Sequence, residues 1–309
     1  MLTMPTISDI RELAEKIHSR LSDPEFRMNP YLRLMRLDKP TGTWLLLIPC
    51  WWGVALSAEL FPNLWYMFLF AVGAVVMRGA GCVVNDIYDR NLDGLVERTS
   101  ARPLANGEIN LLQAVAFLAL LLFLGLCVLL LFNRATIILG ASSLVLVFTY
   151  PLMKRITWWP QLFLGFTFNW GVLMGGMAVT ETLDFPHVLA YIAGIFWTLG
   201  YDTIYAHQDK RDDLQIGIKS TALLFGEVSL WWISLFYAAT IFFLILAGWA
   251  EGDGVGQGYF WGLLVAAGFA AVQLILWKPD DPENCARRFS SNRAFGLIVL
   301  TAIIVGKMI

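Results

Sequence analysis

At 309 residues the chain could build a sizeable domain, but 58% of it is hydrophobic and only 15% charged, with a mean hydropathy of +0.63. These proportions exclude an ordinary water-soluble globule and leave membrane lipid as the surrounding medium. A net charge of -2 supplies no basic field for nucleic acid. The four cysteines lie far apart, with no CxxC spacing and no neighbouring His, which argues against disulfide and zinc frameworks.

The chain begins with Ile7, Ile10, Leu13, Ile17 and Leu21 at helical spacing among charged residues, which predicts an amphipathic helix lying on the membrane surface within residues 1–30. Asp9, Glu12 and Glu15 in this stretch do not suit a transit peptide, so the segment is expected to be retained. Apolar runs between Pro, Gly and charge punctuation then predict nine spans, near 41–60, 64–84, 109–131, 135–152, 160–180, 187–205, 221–248, 257–277 and 295–309. Each approaches the roughly 20 residues a helix needs to cross the bilayer core.

With nine spans the connecting segments alternate between the two faces. One set, comprising the N-terminal segment and the stretches around Arg90, Lys154, Lys210 and Lys278, holds 19 of the 22 Lys and Arg; the other keeps Arg134 and Lys307, and Arg78 falls within a span. The positive-inside rule makes the basic face the inner one. The expectation is one all-α domain over residues 1–309 in a bacterial inner membrane, with its N-terminus and long charged segments cytoplasmic.

The first long inner segment opens NDIYDRNLD, with Asn85, Asp86, Asp89 and Asp93. If the second span continues as a helix, the three aspartates at i, i+3 and i+7 lie within an arc of roughly 60°. The second inner segment, YDTIYAHQDKRDD, sets Asp202, Asp209 and Asp213 at i, i+7 and i+11, again expected on one helical face. Acidic clusters at the end of a membrane span are costly unless a cation compensates them. Mg²⁺ takes one or two carboxylates and fills its shell with water and phosphate oxygens, so two facing clusters would make a diphosphate site. Solvated acids paired with Arg90, Lys210 and Arg211 are the simpler reading of either cluster alone, but two clusters phased on the same side favour a shared site.

These segments resemble the UbiA superfamily of intramembrane prenyltransferases. NDIYDRNLDGLVERTSARPL looks like its first aspartate-rich motif, and YDTIYAHQDKRDD followed by IGIKSTALLFG like its second. MRLDKPTG (35–42), YPLMKRITWWPQ (150–161) and DPENCARRFSSNRAFG (281–296) extend the likeness in order along the chain. The resemblance is strongest to the branch that prenylates 4-hydroxybenzoate for ubiquinone synthesis. It implies Mg²⁺-dependent transfer from polyprenyl diphosphate to the ring carbon ortho to the hydroxyl, with Asn85, Asp86, Asp89, Asp93, Asp202, Asp209 and Asp213 as metal ligands. Asp86, Asp89, Asp209 and Asp213 are its expected catalytic aspartates. Homogentisate, naphthoate and haem are the acceptors of related branches.

Arg78 precedes Asn85 and Asp89 by seven and eleven residues, on the same helical face, and is expected to reach the diphosphate. The resemblance places Arg36, Lys39, Lys154 and Arg155 at diphosphate or acceptor carboxylate; Arg36 and Arg155 are the candidates for the carboxylate, and Arg155 is preferred because it closes a span in the YPLMKR motif whereas Arg36 precedes one. Tyr150 is expected at a phosphate or at the allylic cation. His207 lies within the second motif but has no His partner for a metal. A secondary transporter also carries intramembrane carboxylates, but near the bilayer midplane and within repeats, whereas these acids gather at one edge. A CDP-alcohol phosphotransferase would need a further aspartate pair soon after Asp93, and none occurs before Asp184.

Overall fold

A computed structural model describes residues 28–95 and 99–309; the predicted surface helix within residues 1–30 falls almost wholly outside them. After a short α1 (Pro30–Leu34), the long helices are α2 (Thr41–Leu56), α3 (Leu64–Asp89), α4 (Leu111–Leu129), α5 (Arg134–Ile156), α6 (Pro160–Thr180) and α7 (Phe185–Ala206). Two short helices, α8 (Lys210–Ile216) and α9 (Thr221–Phe225), lead to α10 (Ser229–Glu251), α11 (Gln257–Ile275) and α12 (Pro282–Met308).

Local chemistry marks these starts. Asn63, Asn110 and Asn133 cap α3, α4 and α5 by accepting from exposed backbone N–H groups. Proline opens α6, α7 and α12, where its missing N–H costs nothing.

Among the described residues, seven segments are long and apolar enough to cross a membrane, rather than nine. The two that fall outside this set are α2, at 16 residues, and α7, which carries His187 and Asp202. Both are central: 11 of the 16 residues of α2 and 14 of the 22 of α7 are buried. A helix sheathed by other helices faces protein instead of lipid, so it needs neither the full length nor the full apolarity of a lipid-facing span. By contrast α4 and α5 are mostly turned outward.

The core is built where α2 meets α6, α7 meets α10 and α11 meets α12. Trp52 of α2 stacks on Trp197 of α7 with ring centroids 5.2 Å apart, and its Nε1 donates to the Gly296 carbonyl of α12 at 2.9 Å. A Cβ on Gly53 would lie 2.1 Å from the Val172 carbonyl oxygen. Glycine is what lets α2 and α6 approach so closely, as small residues do where helices associate in lipid.

Two further boundaries differ from expectation. Helix α12 starts 13 residues before the predicted 295, because Asp281 caps it and Pro282 occupies its first turn, so its polar first half is helical although not apolar. The second acidic motif is not one continuous helix. Helix α7 stops at Ala206, and Asp209 becomes the N-cap residue of a separate α8 that ends at left-handed Gly217. Asp202, Asp209 and Asp213 therefore do not share one helical face.

Candidate active site

Helix α3 runs five residues past its predicted end, to Asp89, which keeps Asn85, Asp86 and Asp89 in its last turns as the phasing requires. Asp93 follows in a 3₁₀ turn, Asp93–Leu95. The starts of α2, α6 and α12 and the ends of α3, α5 and α7 surround a cavity of about 940 Å³ at this end of the bundle. Asn85, Asp86, Asp89, Asp93, Asp202, Asp209 and Asp213 all line it, as do Arg36, Lys39, Arg78, Tyr150 and Lys154. Motifs more than a hundred residues apart thus meet in one chamber.

Arg155 is the exception. It does not line the cavity; its side chain is 44% exposed and donates to the Tyr88 carbonyl at 2.8 Å and to Asp89 at 3.3 Å. Lys154 points inward and Arg155 out, because adjacent helical residues project about 100° apart.

The first-motif carboxylates are buried and matched by cations. Asp86, 1% exposed, receives Nη2 of Arg36 on both oxygens at 2.8 and 2.9 Å and Nη1 of Arg102 at 3.1 Å. Arg102 also grips both oxygens of Asp93 at 2.8 Å. Asp89 is paired with Lys154 and accepts from Asn85 Nδ2 at 3.0 Å. Burial of these charges is tolerable only with such partners. Arg36 sits at φ 60°, a left-handed conformation costing a non-glycine residue about 1 kcal/mol. Its side chain is held there by Asp86 and by the Arg33 carbonyl at 3.0 Å. Burial holds the Asp93 carboxyl above the ordinary carboxylate range, with Arg102 opposing and the neighbouring Asp86 and Asp89 adding to the effect.

Arg102 escaped the sequence reading because it lies in an irregular segment with no periodicity to phase it; its place in ERTSARPL was the one available signal. Lys219 and Tyr201 also line the cavity and lay outside the predicted set. Lys219 is brought there by backbone pairing of its N–H with the Lys154 carbonyl at 3.0 Å.

Among the described residues no three His, Cys, Asp or Glu side chains converge into a ready-made metal cage. The seven oxygen-bearing residues on two walls of one chamber still suit Mg²⁺, which keeps several waters and takes few protein ligands.

A second, apolar channel of about 440 Å³ runs from this cavity between α3, α4, α5 and α6. Arg78, Tyr150 and Phe168 line both spaces. The Arg78 guanidinium lies over the Phe168 ring, 5.5 Å from its centroid, and its Nε is shielded without a hydrogen-bond partner. Phe70 and Phe132, 4.8 Å apart, line the channel towards the opposite face.

A helical membrane bundle whose charged chamber opens into an apolar channel is built for a substrate with a polyanionic head and a hydrocarbon tail. The chain belongs to the UbiA prenyltransferase family, which it matches over residues 46–299. It is 51% identical over 286 residues to the mitochondrial 4-hydroxybenzoate polyprenyltransferase of Bos taurus, covering 91% of this chain and 76% of the relative. The Homo sapiens protein of the same name is 50% identical with the same coverage. Among solved structures, the apo structure of a UbiA homolog from Aeropyrum pernix K1 superposes with a TM-score of 0.71 at 26% identity, covering 85% of this chain and 97% of that one. A UbiA homolog from Archaeoglobus fulgidus bound to GPP and Mg²⁺ shares the fold, with a TM-score of 0.68 at 19% identity over 90% of this chain and all of that one.

These relatives correct one expectation. They are mitochondrial proteins, which overturns the placement in a bacterial inner membrane. Basic-residue bias reports which face of a membrane a loop occupies and carries no information about which membrane it is; the integral membrane fold itself stands.

Proposed function

We propose that this protein transfers a polyprenyl group from polyprenyl diphosphate to the carbon ortho to the hydroxyl of 4-hydroxybenzoate, releasing diphosphate, as a step of ubiquinone synthesis. The observation that carries the reading is the junction: a chamber of carboxylates and cations and an apolar channel share Arg78, Tyr150 and Phe168. A prenyl diphosphate laid across it would have its head among the charges, its tail in the channel and its reactive C1 at the boundary. The names of the relatives and the ligands of the Archaeoglobus homolog support the same assignment.

Asn85, Asp86, Asp89 and Asp93 would hold one Mg²⁺ and Asp209 with Asp213 a second, with Asp202 close by. Bound there, Mg²⁺ supplies positive charge to a diphosphate that the carboxylates alone would repel. Arg36, Lys39, Arg102 and Lys154 surround the head group with further positive charge. As the C1–O bond breaks, diphosphate leaves with the electron pair, and fixed cations favour the charge that develops on it. The aromatic faces of Tyr150 and Phe168 border the allylic cation and exclude water. The ring's π electrons form the new C–C bond, and the ring carbon then gives up its proton to a base in the chamber.

Arg78, not Arg155, is assigned the acceptor's carboxylate. Its planar guanidinium is shielded, has an unused Nε donor and lies beside Phe168 at the point where C1 and ring must meet. The test is purified protein in lipid nanodiscs with Mg²⁺, geranyl diphosphate and 4-hydroxybenzoate, with the product identified by mass and NMR. The ortho-prenylated acid is expected, and Arg78→Ala should raise KM for 4-hydroxybenzoate far more than Arg155→Ala does. Preferential prenylation of homogentisate or a naphthoate would overturn the acceptor assignment.

A further inference from the structure

The channel is walled along α3 by two glycines that no packing contact requires. A Cβ built on Gly81 meets nothing within 4 Å, and one on Gly73 meets only Val128, at an ordinary 3.7 Å. Both residues line the apolar channel. The other channel glycines differ: a Cβ on Gly125 would strike Met77 at 2.6 Å, one on Gly140 would strike Leu129 at 2.6 Å, and one on Gly171 would strike Cys50 at 2.4 Å. Those glycines are explained by close helix packing. Gly73 and Gly81 are not, although glycine is a poorer helix former than alanine. What they leave is open space in a channel whose mouth holds the shielded, unpartnered Nε of Arg78.

We propose that Gly81 and Gly73 determine, at two depths, how long a prenyl tail the channel admits; the inference rests on the prenyl-transfer reading above and deepens it. Eight residues of α-helix separate the two glycines by about 12 Å. One isoprene unit advances an extended chain by four carbon–carbon bonds, about 5 Å. The glycines therefore stand a little over two isoprene units apart along the channel. Gly81, one turn from Asn85, stands beside the mouth of the channel, and Gly73 stands about 12 Å deeper. A leucine at either position, whose Cβ meets no atom closer than 3.7 Å, would project into the channel at that level.

The experiment compares wild type, Gly81→Leu and Gly73→Leu, with Gly81→Ala and Gly73→Ala as controls, using dimethylallyl, geranyl, farnesyl and geranylgeranyl diphosphates. Gly73→Leu is expected to keep dimethylallyl and geranyl transfer near wild type while geranylgeranyl transfer falls at least about tenfold, the scale on which a filled apolar pocket rejects excess chain. Gly81→Leu should lose geranyl as well and retain dimethylallyl. The alanine variants, which add only a Cβ, should shift the donor preference less than the leucine variants, and all four should keep a cooperative melting transition. Binding of the same diphosphates, read as the rise in Tm each produces, does not depend on the acceptor. A wild type that binds all four donors but prenylates no hydroxybenzoate would overturn the acceptor reading and leave the graded binding to decide this one. Loss of all donors in equal proportion in a folded Gly73→Leu, or undiminished handling of geranylgeranyl diphosphate by it, would mean that the tail does not pass Gly73 and that the proposal is wrong.

Discussion

Gly42→Ala separates the position of Arg78 from the stability of the fold. Gly42 lies in the first turn of α2, and a Cβ added there would sit 2.5 Å from Arg78 Nε, 2.7 Å from its Nη2 and 2.9 Å from its Cζ. To restore ordinary contact at 3.4 Å the guanidinium must retreat by about 1 Å. The backbone need not follow, because the obstructing atoms are the far end of a long side chain. Alanine is the better helix residue by about 0.5–1 kcal/mol, so Tm should hold or rise slightly. A displacement of this size at a substrate-positioning group costs on the order of a hundredfold, or about 2.7 kcal/mol. The expected result is a raised KM for 4-hydroxybenzoate, with KM for the prenyl diphosphate changed by less than about threefold and the ortho product unchanged. The assay is initial rate against each substrate with the other saturating, beside a melting curve. Equal KM increases for both substrates would return Arg78 to the diphosphate, and wild-type kinetics would refute the claim that its position matters.

Two other predictions concern charge. Excess chelator should abolish transfer and Mg²⁺ should restore it, while Asp86→Asn and Asp89→Asn should each cut turnover on the order of a hundredfold; full activity in chelator would remove the metal from the proposal. Burial, with Lys210 adding, lowers the His207 pKa from 6.5 to about 4, and its Nε2 lies 3.1 Å from Ser229 Oγ. The unfolded chain therefore binds the extra proton between those values, so stability is complete above pH 6.5 and falls by about 3 kcal/mol as the pH drops through about 4. His207→Gln should flatten that part of the Tm–pH curve, and an unchanged slope would show that His207 is not the group responsible.

Much of the architecture is one-dimensional information. Apolar runs reveal spans because hydrocarbon tolerates only backbone that satisfies its own hydrogen bonds, which in this chain means helix. Asn63, Asn110, Asn133 and the helix-opening prolines mark where those helices start. Twelve of the thirteen residues proposed for the site from sequence line one chamber, since carboxylates and cations at the edge of a membrane span have few purposes other than each other and a charged ligand.

The exceptions have a common cause. Arg155 and Lys154 are neighbours in sequence with the same charge, and only the direction of their side chains sends one into the chamber and the other outside. Arg102 reaches Asp86 and Asp93 from an irregular segment whose path no periodicity describes. The second acidic motif keeps its aspartates in one chamber despite a break in its helix, because Lys219 is tied back to the end of α5 and Thr221 to Gln161 of α6.

From its residues alone this protein is determined to be a helical membrane protein with two acidic motifs on one face, because hydropathy, capping and charge bias act locally along the chain. Tertiary structure alone decided that α2 and α7 are sheathed in protein, that Arg78 stands between a charged chamber and an apolar channel, and that Gly81 faces empty space while Gly73 meets only Val128 at ordinary contact distance. Those properties depend on which helix lies beside which, and on the volume left between them, neither of which any single segment encodes.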